Sequence, residues 1–381
     1  MNEVIQYFKI ILVIAVRFVL HIFWVFPIRR NRIVFSSHWK TYNCNPKYIC
    51  ESLKEKYGNK LSYIWIGRNC DVNIPLLTFV RHKSMASIFF MTTGGLIFFN
   101  DSFPSWIPLR KTQVLINTWH GGGAYKDIGS SSNVGCYNSF VTRITAKNVK
   151  YFISSSYKFS RTISKALLID SNKFLPFGMP RNDIFFSKTI NKANIKNKVG
   201  LLETDSVILY APTFRGVPKS RYCINNIDLK SVASVAKYKF KKKFVVLHRY
   251  HHTISDNAMG VGNIIDVTSY PDMQELLYIT DILITDYSSS IWDYSLMFKP
   301  CFLFTPDIQD YSERQGFVTP VEEWPFPNAT DNMKLCQLIR DYNESDSIRR
   351  ISKHHSVFGS YESGSATTKI TDMVDEIICK K

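Results

Sequence analysis

The chain lacks any close pairing of cysteines. Its eight cysteines are scattered over 381 residues, and no two of them form a CxxC pair. Structural zinc sites and the disulfide frameworks of small secreted domains both need closely spaced cysteines. Neither kind of site is therefore predicted, and the cysteine usage fits a reducing cytoplasm.

The chain also lacks low-complexity tracts, and it has no internal repeat with a period of about 20 to 50 residues. Hydrophobic residues make up 45% and charged residues 21% of the sequence. That composition is typical of a globular protein and excludes a disordered chain. The length suits two α/β domains of ordinary size.

Acidic residues are scarce. The chain has 31 Asp and Glu against 48 Lys and Arg, which gives a formal net charge of +17 at pH 7. A surface of this charge attracts anions, which include nucleic acid, anionic lipid headgroups and phosphate-rich substrates. The charge alone does not choose among these partners.

One long apolar run stands at the N-terminus. Residues 4–28 are followed by a cluster of arginines, and a helical wheel places the few polar residues in one sector: Glu3, Gln6, Lys9, Arg17 and His21. A spanning helix would hold Arg17 near the bilayer centre, where insertion costs about 2.5 to 3.5 kcal/mol. We therefore predict that residues 1–30 form an amphipathic helix that lies on the membrane with its polar stripe in water. A spanning helix and a helix packed on the protein's own core are the alternatives.

Short apolar runs of strand length alternate with segments of helical pattern. The runs occupy residues 32–37, 61–67, 76–80, 96–101, 114–120, 206–212, 243–251, 263–268, 281–289 and 300–306. This alternation predicts parallel sheets with helices on their faces. We predict an α/β protein of the GT-B type, with two Rossmann-like domains that face a central cleft. The membrane-associated helix (1–30) precedes an N-terminal domain (31–195) and a C-terminal domain (196–381).

The segment 117–129 places His120 at the end of a predicted strand, directly before Gly121 and Gly122. Glycines allow backbone amides to approach a ligand closely. The segment matches neither the P-loop nor the G-x-G-x-x-G pattern. A histidine that merely ends a strand beside a flexible turn is the alternative.

A second segment, residues 245–252, is rich in histidine. It ends another predicted strand and contains Arg249. Adjacent strand residues point to opposite faces and no carboxylate lies close in sequence, so a metal site is not favoured. A single histidine together with Arg249 suits the stabilisation of negative charge on a phosphoryl group.

A third segment runs from an apolar strand into Asp286, Ser288 and Ser289, and then into a predicted helix that begins near Ile291. Serines at a helix start cap the helix, and its free amides form an anion site. Capping without a ligand is the alternative. Asp293, in the first turn, is expected to orient a donor hydroxyl or to stabilise the helix start.

Taken in order, these segments resemble the CDP-glycerol glycerophosphotransferase family, the teichoic-acid and capsule primases and polymerases of bacteria. The matching motifs are Trp119-His120-Gly121, Gly178-x-Pro180-Arg181-x-Asp183, Ala211 to Arg215, Asp286 to Ser289, and the stretch from Tyr311 through Arg314 to Phe317. The chain departs from the family's motifs at two places. His252 follows His251, so a shifted register in which His248 takes the place of His251 stays open. Gln315 separates Arg314 from Gly316, whereas the family has an Arg-Gly pair.

The resemblance implies a peripheral, monotopic enzyme on the cytoplasmic face of the cell membrane that uses CDP-glycerol or CDP-ribitol and a lipid-linked polymer acceptor. It implies His120 as general base and His251 at the donor phosphates. The implied donor-binding residues are Gly121, Gly122, Thr213, Arg215, Arg249, Asp286, Ser288, Ser289, Asp293 and Arg314, and the residues expected elsewhere in the cleft are Lys126, Arg181 and Asp183.

Two other functions stay open on sequence grounds, namely a glycosyltransferase that uses a UDP- or GDP-sugar and a non-catalytic binder of anionic polymer at the membrane surface. No metal site is predicted, no cofactor is certain, and dependence on a divalent metal is left open. Nucleic acid is not an expected partner, whereas a homo-oligomer is allowed. The choices between glycerol and ribitol and between primase and polymerase also stay open.

Overall fold

A computed structural model describes residues 3–38, 40–68, 73–128, 135–213, 215, 226–250 and 264–379. The chain forms two compact units. Unit 1 comprises Met1–His120, Ile128–Asp183 and Ser360–Lys381, and unit 2 comprises Gly121–Asp127 and Ile184–Gly359. The domain limits expected from sequence, 31–195 and 196–381, remain predictions. Relative to them, residues 121–127 and 184–195 belong to unit 2, and residues 1–30 and 360–381 belong to unit 1.

Unit 1 is built on a parallel sheet with the strand order β3-β2-β1-β4-β5-β6-β7 in the described part of the chain. Its strands are β1 (Arg29–Ser36), β2 (Ser62–Gly67), β3 (Leu77–Arg81), β4 (Gly94–Phe99), β5 (Val114–Asn117), β6 (Val149–Ile153) and β7 (Phe174–Leu175). The central strands are buried along almost their whole length because helices cover both faces of the sheet.

The helices of unit 1 are α1 (Glu3–Leu20), α2 (Cys44–Tyr57), α3 (Met85–Thr93), α4 (Cys136–Asn148), α5 (Tyr157–Leu167) and, from the C-terminal segment, α13 (Ala366–Cys379). A short 3-10 helix, His21–Val25, continues α1. Ile370 and Val374 of α13 share one buried cluster with Phe35, Trp65 and Phe98 of the sheet. This packing explains why the C-terminal helix belongs to unit 1.

The helix α1 is one-sided in the way that the sequence indicates, but Gln6 and Arg17 of its polar stripe face the protein, whereas Glu3 and His21 are exposed. The Arg17 guanidinium donates to the carbonyls of Ser105 and Ile107, and the backbone N–H of Tyr137 donates to Gln6 Oε1 at 3.2 Å. The prediction that this stripe faces water was therefore wrong for Arg17 and Gln6, because protein groups replace water as their partners.

The apolar side of α1 and of the following 3-10 helix is uncovered. Phe18 is 80% exposed and Val25 is 77% exposed, and similar side chains extend along the same elements. Residues Glu3–Val25 are long and apolar enough to cross a membrane by length and composition. The uncovered surface is the feature that a lipid environment would satisfy.

Unit 2 is built on a second parallel sheet, with the order β10-β9-β8-β11-β12-β13 among the described strands. These are β8 (Ser206–Tyr210), β9 (Phe244–His248), β10 (Ile264–Asp266), β11 (Ile282–Thr285), β12 (Cys301–Phe304) and β13 (Asn328–Ala329). The helices are α6 (Lys192–Lys198), α7 (Leu229–Phe240), α8 (Met273–Ile279), α9 (Ser290–Ser295), α10 (Ile308–Gln315), α11 (Asn332–Arg340) and α12 (Glu344–Phe358). Ile208, Ile284 and Phe302 of the sheet share a core with Val232 and Leu335 of the helices.

Each sheet reverses its strand order at one point. The reversal lies between β1 and β4 in unit 1 and between β8 and β11 in unit 2. In open parallel sheets, ligands bind outside the carboxyl ends of the strands at such a topological switch point. The residues that follow these four strands are therefore the first candidates for a functional site in each unit.

Candidate active site

Unit 1 places two histidines at its switch point. His38 follows β1, and Asn100 and Asp101 follow β4. His120, which follows the neighbouring strand β5, lies against His38 with the ring centroids 4.5 Å apart and the planes 19° apart. The sequence predicted His120 here, whereas His38 and Asp101 were not among the predicted residues.

The tautomer of His120 follows from one hydrogen bond. Nδ1 lies 2.6 Å from the carbonyl oxygen of Asn100. A carbonyl only accepts, so Nδ1 carries the hydrogen and Nε2 holds a lone pair when the ring is neutral. Burial, together with positive charge on His38 and Arg181, lowers the pKa of His120 to about 4, and the bond to Asn100 and the charge of Asp101 oppose this shift. His120 is therefore neutral at pH 7, with Nε2 able to accept a proton.

The turn that carries His120 is fixed by its neighbours. Trp119 adopts φ 49°, which is uncommon for a residue with a side chain. Its backbone N–H donates to Asn117 Oδ1 at 2.8 Å, and its carbonyl accepts from Asn45 Nδ2 at 2.9 Å. The buried indole of Trp119 stacks on the ring of His120 at 4.8 Å. Strained backbone held in place in this way is common at functional sites.

Arg181 and Asp183, the two charged residues of the G-x-P-R-x-D motif, form hydrogen bonds with protein groups within unit 1. Arg181 Nη1 donates to the carbonyl of His120 at 3.0 Å and contacts Cys44 Sγ at 3.2 Å. Asp183 accepts hydrogen bonds from the backbone and the hydroxyl of Thr367 at 2.7 and 2.6 Å, and so caps α13. Arg181 therefore supports the backbone of His120, and Asp183 fixes the C-terminal helix.

The chain enters unit 2 directly after His120. A Cβ atom on Gly121 would lie 3.0 Å from Ser289 Oγ, and one on Gly122 would lie 2.1 Å from the indole of Trp292. Gly122 therefore leaves no room for a side chain beside α9, whereas a side chain at Gly121 would pack tightly against Ser289. Tyr125 Oη lies 2.9 Å from His354 Nε2, which also holds this segment in unit 2.

The switch point of unit 2 holds a buried ion network. Asp286, after β11, accepts from the backbone N–H and hydroxyl of Thr213 at 2.9 and 3.0 Å. Arg215, after β8, lies 2.9 Å from Asp286 and donates to Asp307 at 2.6 and 3.0 Å. Burial alone would lower the pKa of Arg215, but the bonds and charges of Asp307 and Asp286 raise it above its usual range. The charge of Arg215 is neutralised by two carboxylates.

Lys126 is a second cation of unit 2, beside the neutralised Arg215. Its Nζ lies 5.3 Å from the centroid of the Tyr311 ring. Burial lowers the pKa of Lys126 to about 8, a shift that the charge of Asp286 opposes and that of Arg215 adds to. No hydrogen bond to this ammonium group occurs within the described residues. Lys126 is therefore a charged donor with unused hydrogen-bonding capacity at neutral pH.

The serines and Asp293 differ in their roles at α9. Ser289 is the N-cap residue, yet its side chain makes no capping bond, whereas Ser288 Oγ accepts from the backbone N–H of Ser290 at 3.2 Å. The helix has only six residues, which limits any dipole effect. Asp293 is buried and accepts from Gln274 Nε2 at 2.8 Å, so it ties α9 to α8.

The other predicted residues of unit 2 lie at the end of β9, on α10 or outside the described part of the chain. The backbone N–H of Arg249 donates to the Tyr210 carbonyl at 2.9 Å, and burial lowers the pKa of its guanidinium to about 10 against the charges of Asp272 and Tyr270. His248 is buried and stacks on Tyr210. Arg314 is exposed on α10. His251 lies outside the described residues.

No group of three or more His, Cys, Asp or Glu side chains that could hold a metal ion occurs in the part of the chain that the structure describes. Sequence reasoning missed His38, Asp101 and Asp307. His38 and Asp101 have their position in common, since each follows one of the two strands that flank the switch point. Only the strand order reveals that they lie together, because 63 residues separate His38 from Asp101.

Two doubly wound parallel sheets, each with polar residues at its switch point, define a GT-B-like class of fold that nucleotide-dependent transferases use. The sequence profile of the family described as CDP-glycerol:poly(glycerophosphate) glycerophosphotransferase matches residues 18–376. The chain belongs to this family, and it is a glycerophosphotransferase-type enzyme, as the resemblance implied.

Curated relatives agree with this assignment. A teichoic acid poly(glycerol phosphate) polymerase of Bacillus spizizenii is 26% identical, with 97% of this chain and 98% of the relative covered. A teichoic acid ribitol-phosphate primase of the same species is also 26% identical, with 92% of each chain covered. A poly(glycerol phosphate) polymerase of Staphylococcus epidermidis is 29% identical, but the alignment spans only 51% of its length.

Solved structures of the wall teichoic acid polymerase TagF have the same fold. One matches with a TM-score of 0.83 and 26% identity, and covers 99% of this chain and 97% of its own. A TagF variant soaked with CDPG matches with a TM-score of 0.81 and 25% identity, with 99% of each chain covered. These matches confirm the predicted GT-B-like architecture.

Proposed function

We propose that this enzyme transfers glycerol phosphate, or a related polyol phosphate such as ribitol phosphate, from a CDP-activated donor to a hydroxyl of a lipid-linked teichoic acid or capsular polymer. CMP is the released product. The observation that carries the proposal is the geometry of His120, which has a bonded Nδ1–H and an Nε2 lone pair in a chain of the glycerophosphotransferase family.

The proposed reaction is an in-line displacement. The acceptor hydroxyl loses its proton to Nε2 of His120 as its oxygen forms a bond to the β-phosphorus of the donor. The bond between that phosphorus and the bridging oxygen breaks, and CMP leaves with the electron pair. Phosphoryl-type transfers gain most of their rate from positioning and charge stabilisation. The protein groups that hold the donor are therefore expected to matter as much as the base.

Lys126, which the sequence places elsewhere in the cleft, is the cation of unit 2 that we propose as a ligand of the donor. The charge of Arg215 is compensated by Asp286 and Asp307, so we propose that Arg215 and Thr213 hold the ends of β8 and β11 in place. Lys126 then contributes positive charge to the donor phosphates. Contacts of the donor with Arg249, His251, Ser288 and Ser289 remain part of the proposal and rest on the family resemblance.

We propose that the uncovered apolar side of α1 rests on the cytoplasmic face of the membrane, as in a peripheral, monotopic protein. Partly buried hydrogen bonds of Arg17 and Gln6 hold the helix on unit 1, which supports lying on the membrane over crossing it. The positive net charge would add attraction to anionic headgroups. Phe18→Glu should weaken flotation with anionic vesicles, whereas Leu202→Glu, at a residue of unit 2 that is 70% exposed, should not.

The experiment that tests the function offers purified enzyme CDP-glycerol and CDP-ribitol with a lipid-linked acceptor, and follows CMP release and the mass of the product. A product heavier by one or more polyol phosphate units is expected. UDP- and GDP-sugars serve as competing donors in parallel reactions. Transfer from one of these sugars, or no CMP release from either CDP-polyol, would overturn the proposal.

A further inference from the structure

The pair His38 and Asp101 has no role in the reaction as proposed so far, yet it lies directly against the general base. His38 Nδ1 and Asp101 Oδ2 are 2.8 Å apart. A carboxylate accepts, so the imidazole of His38 donates from Nδ1. Asp101 Oδ1 also accepts from the backbone N–H of Ser102 at 2.7 Å, which fixes the carboxylate.

A single dipeptide therefore holds both imidazoles. The carbonyl of Asn100 accepts from His120, and the side chain of Asp101 accepts from His38. The carbonyl of Asp101 in turn accepts from Asn117 Nδ2 at 3.0 Å, which anchors the dipeptide to β5. The two rings are thus held nearly parallel by neighbouring residues on the end of one strand.

We infer that His38, held by Asp101, is a positioning residue for His120: it fixes the plane of the general base by stacking on it. The inference rests on the proposed role of His120 in phosphotransfer. His38 acts through His120, and it requires no contact with either substrate.

The charged groups around His120 determine the direction of the effect. His38 faces it from the end of β1, Asp101 from the end of β4, and Arg181 from the G-x-P-R-x-D segment. Positive charge on His38 and Arg181 lowers the pKa of His120, and negative charge on Asp101 raises it. Removal of His38 takes away a charge that lowers the pKa of His120, so that pKa should rise.

The test uses two substitutions that separate the ring from its charge. His38→Phe keeps a stacking ring and removes the charge, whereas His38→Ala removes both. Histidine NMR titration of His120 should show Nδ1–H tautomer signals in the wild type. In both variants the pKa should rise by about one unit. The control is His82→Phe, at a half-buried histidine of the same unit whose pKa is lowered by burial and by the charges of Lys40, Lys83 and Arg68.

Enzyme kinetics give the second readout. In both His38 variants the acidic limb of kcat/KM against pH should move to higher pH by a similar amount. His38→Ala should lose a further threefold to tenfold in kcat, because the ring of His120 is less well held. KM for the CDP-activated donor should not change. In the His120→Ala background, the same His38 substitutions should have no additional effect on rate or on pH profile.

The NMR titration does not depend on which substrate the enzyme uses, so it separates this inference from the proposed function. An unchanged pKa for His120 in both folded His38 variants would overturn the inference even in an active enzyme. So would a loss of rate that is equally large in the presence and absence of His120. Absence of CMP release by the wild type would overturn the proposed function and leave the NMR result to decide the inference.

Discussion

The switch points of the two units differ in how their charges are used. In unit 1 the central side chain is a neutral imidazole with one nitrogen bonded and the other able to accept a proton. In unit 2 the central arginine is neutralised by two carboxylates, and a lysine beside an aromatic ring supplies the remaining charge. The same fold thus presents a neutral imidazole in one unit and an ion-paired arginine in the other. The comparison teaches that residue type alone does not reveal which cation is available to a ligand.

The largest expected effect comes from breaking the scaffold of unit 2. Arg215→Met leaves the buried Asp286 and the half-buried Asp307 without their arginine partner, which should reduce the free energy of unfolding by about 3 to 5 kcal/mol. Urea unfolding measures the loss. Arg215→Lys keeps the charge but not the paired geometry, so it should lose less. A loss below about 1 kcal/mol for Arg215→Met would show that the network is not structural.

The next effect concerns the base of unit 1. His120→Ala should lower kcat by about 100-fold or more, because proton acceptance by a positioned side chain contributes about that factor. CMP release at saturating donor measures the change, with circular dichroism to confirm that the variant folds. Near-normal turnover in a folded His120→Ala enzyme would remove His120 as the base.

A smaller effect is expected at Lys126 of unit 2. Lys126→Met should weaken binding of the CDP-activated donor by about tenfold, as expected for the loss of one charge-assisted contact. Burial lowers the pKa of Lys126 to about 8, so the ammonium is charged below that pH and loses its proton as pH rises through it. Donor affinity of the wild type should therefore fall above about pH 8.

A lysine-to-arginine exchange is the matched control for that experiment. Lys126→Arg stays charged at alkaline pH, so any donor affinity that it retains should no longer fall between pH 7 and pH 9. Donor affinity of the wild type that is independent of pH over this interval would contradict the role given to Lys126.

The smallest effect is expected at Asp183, the motif residue that caps α13 in unit 1. Asp183→Ala should reduce stability by about 1 kcal/mol, because it removes the cap of α13. Asp183→Asn, which can still cap, should lose less. Thermal unfolding measures both variants, with kcat expected to stay close to the wild-type value. A large loss of kcat without loss of stability would assign Asp183 to the chemistry.

Much of the fold is predictable from the sequence because buried parallel strands are nearly continuous apolar runs. The runs at 61–67 and 206–212 became β2 and β8 with small changes at their ends. The strands β6, β7 and β13 were missed. β7 and β13 have only two residues each, and β6 carries an exposed lysine, so neither length nor pattern marks them.

The site was predictable in part. His120 was identified because it ends a strand beside glycines, but the bond that sets its tautomer involves a backbone carbonyl, which no sequence pattern shows. Arg215 was taken as a donor-binding cation, and its carboxylate partner Asp307 lies 92 residues away. The polar stripe of α1 was expected in water because a helical wheel shows which residues share a face and not what covers that face.

The central claim is that unit 1 supplies the proton acceptor while unit 2 supplies charge for the donor. Calorimetric titration of CDP-glycerol into the wild type, His120→Gln and Lys126→Met at pH 7 tests it most directly. The account predicts an unchanged Kd for His120→Gln and a Kd weakened by about tenfold for Lys126→Met. The reverse pattern, with binding lost at His120 and retained at Lys126, would contradict it.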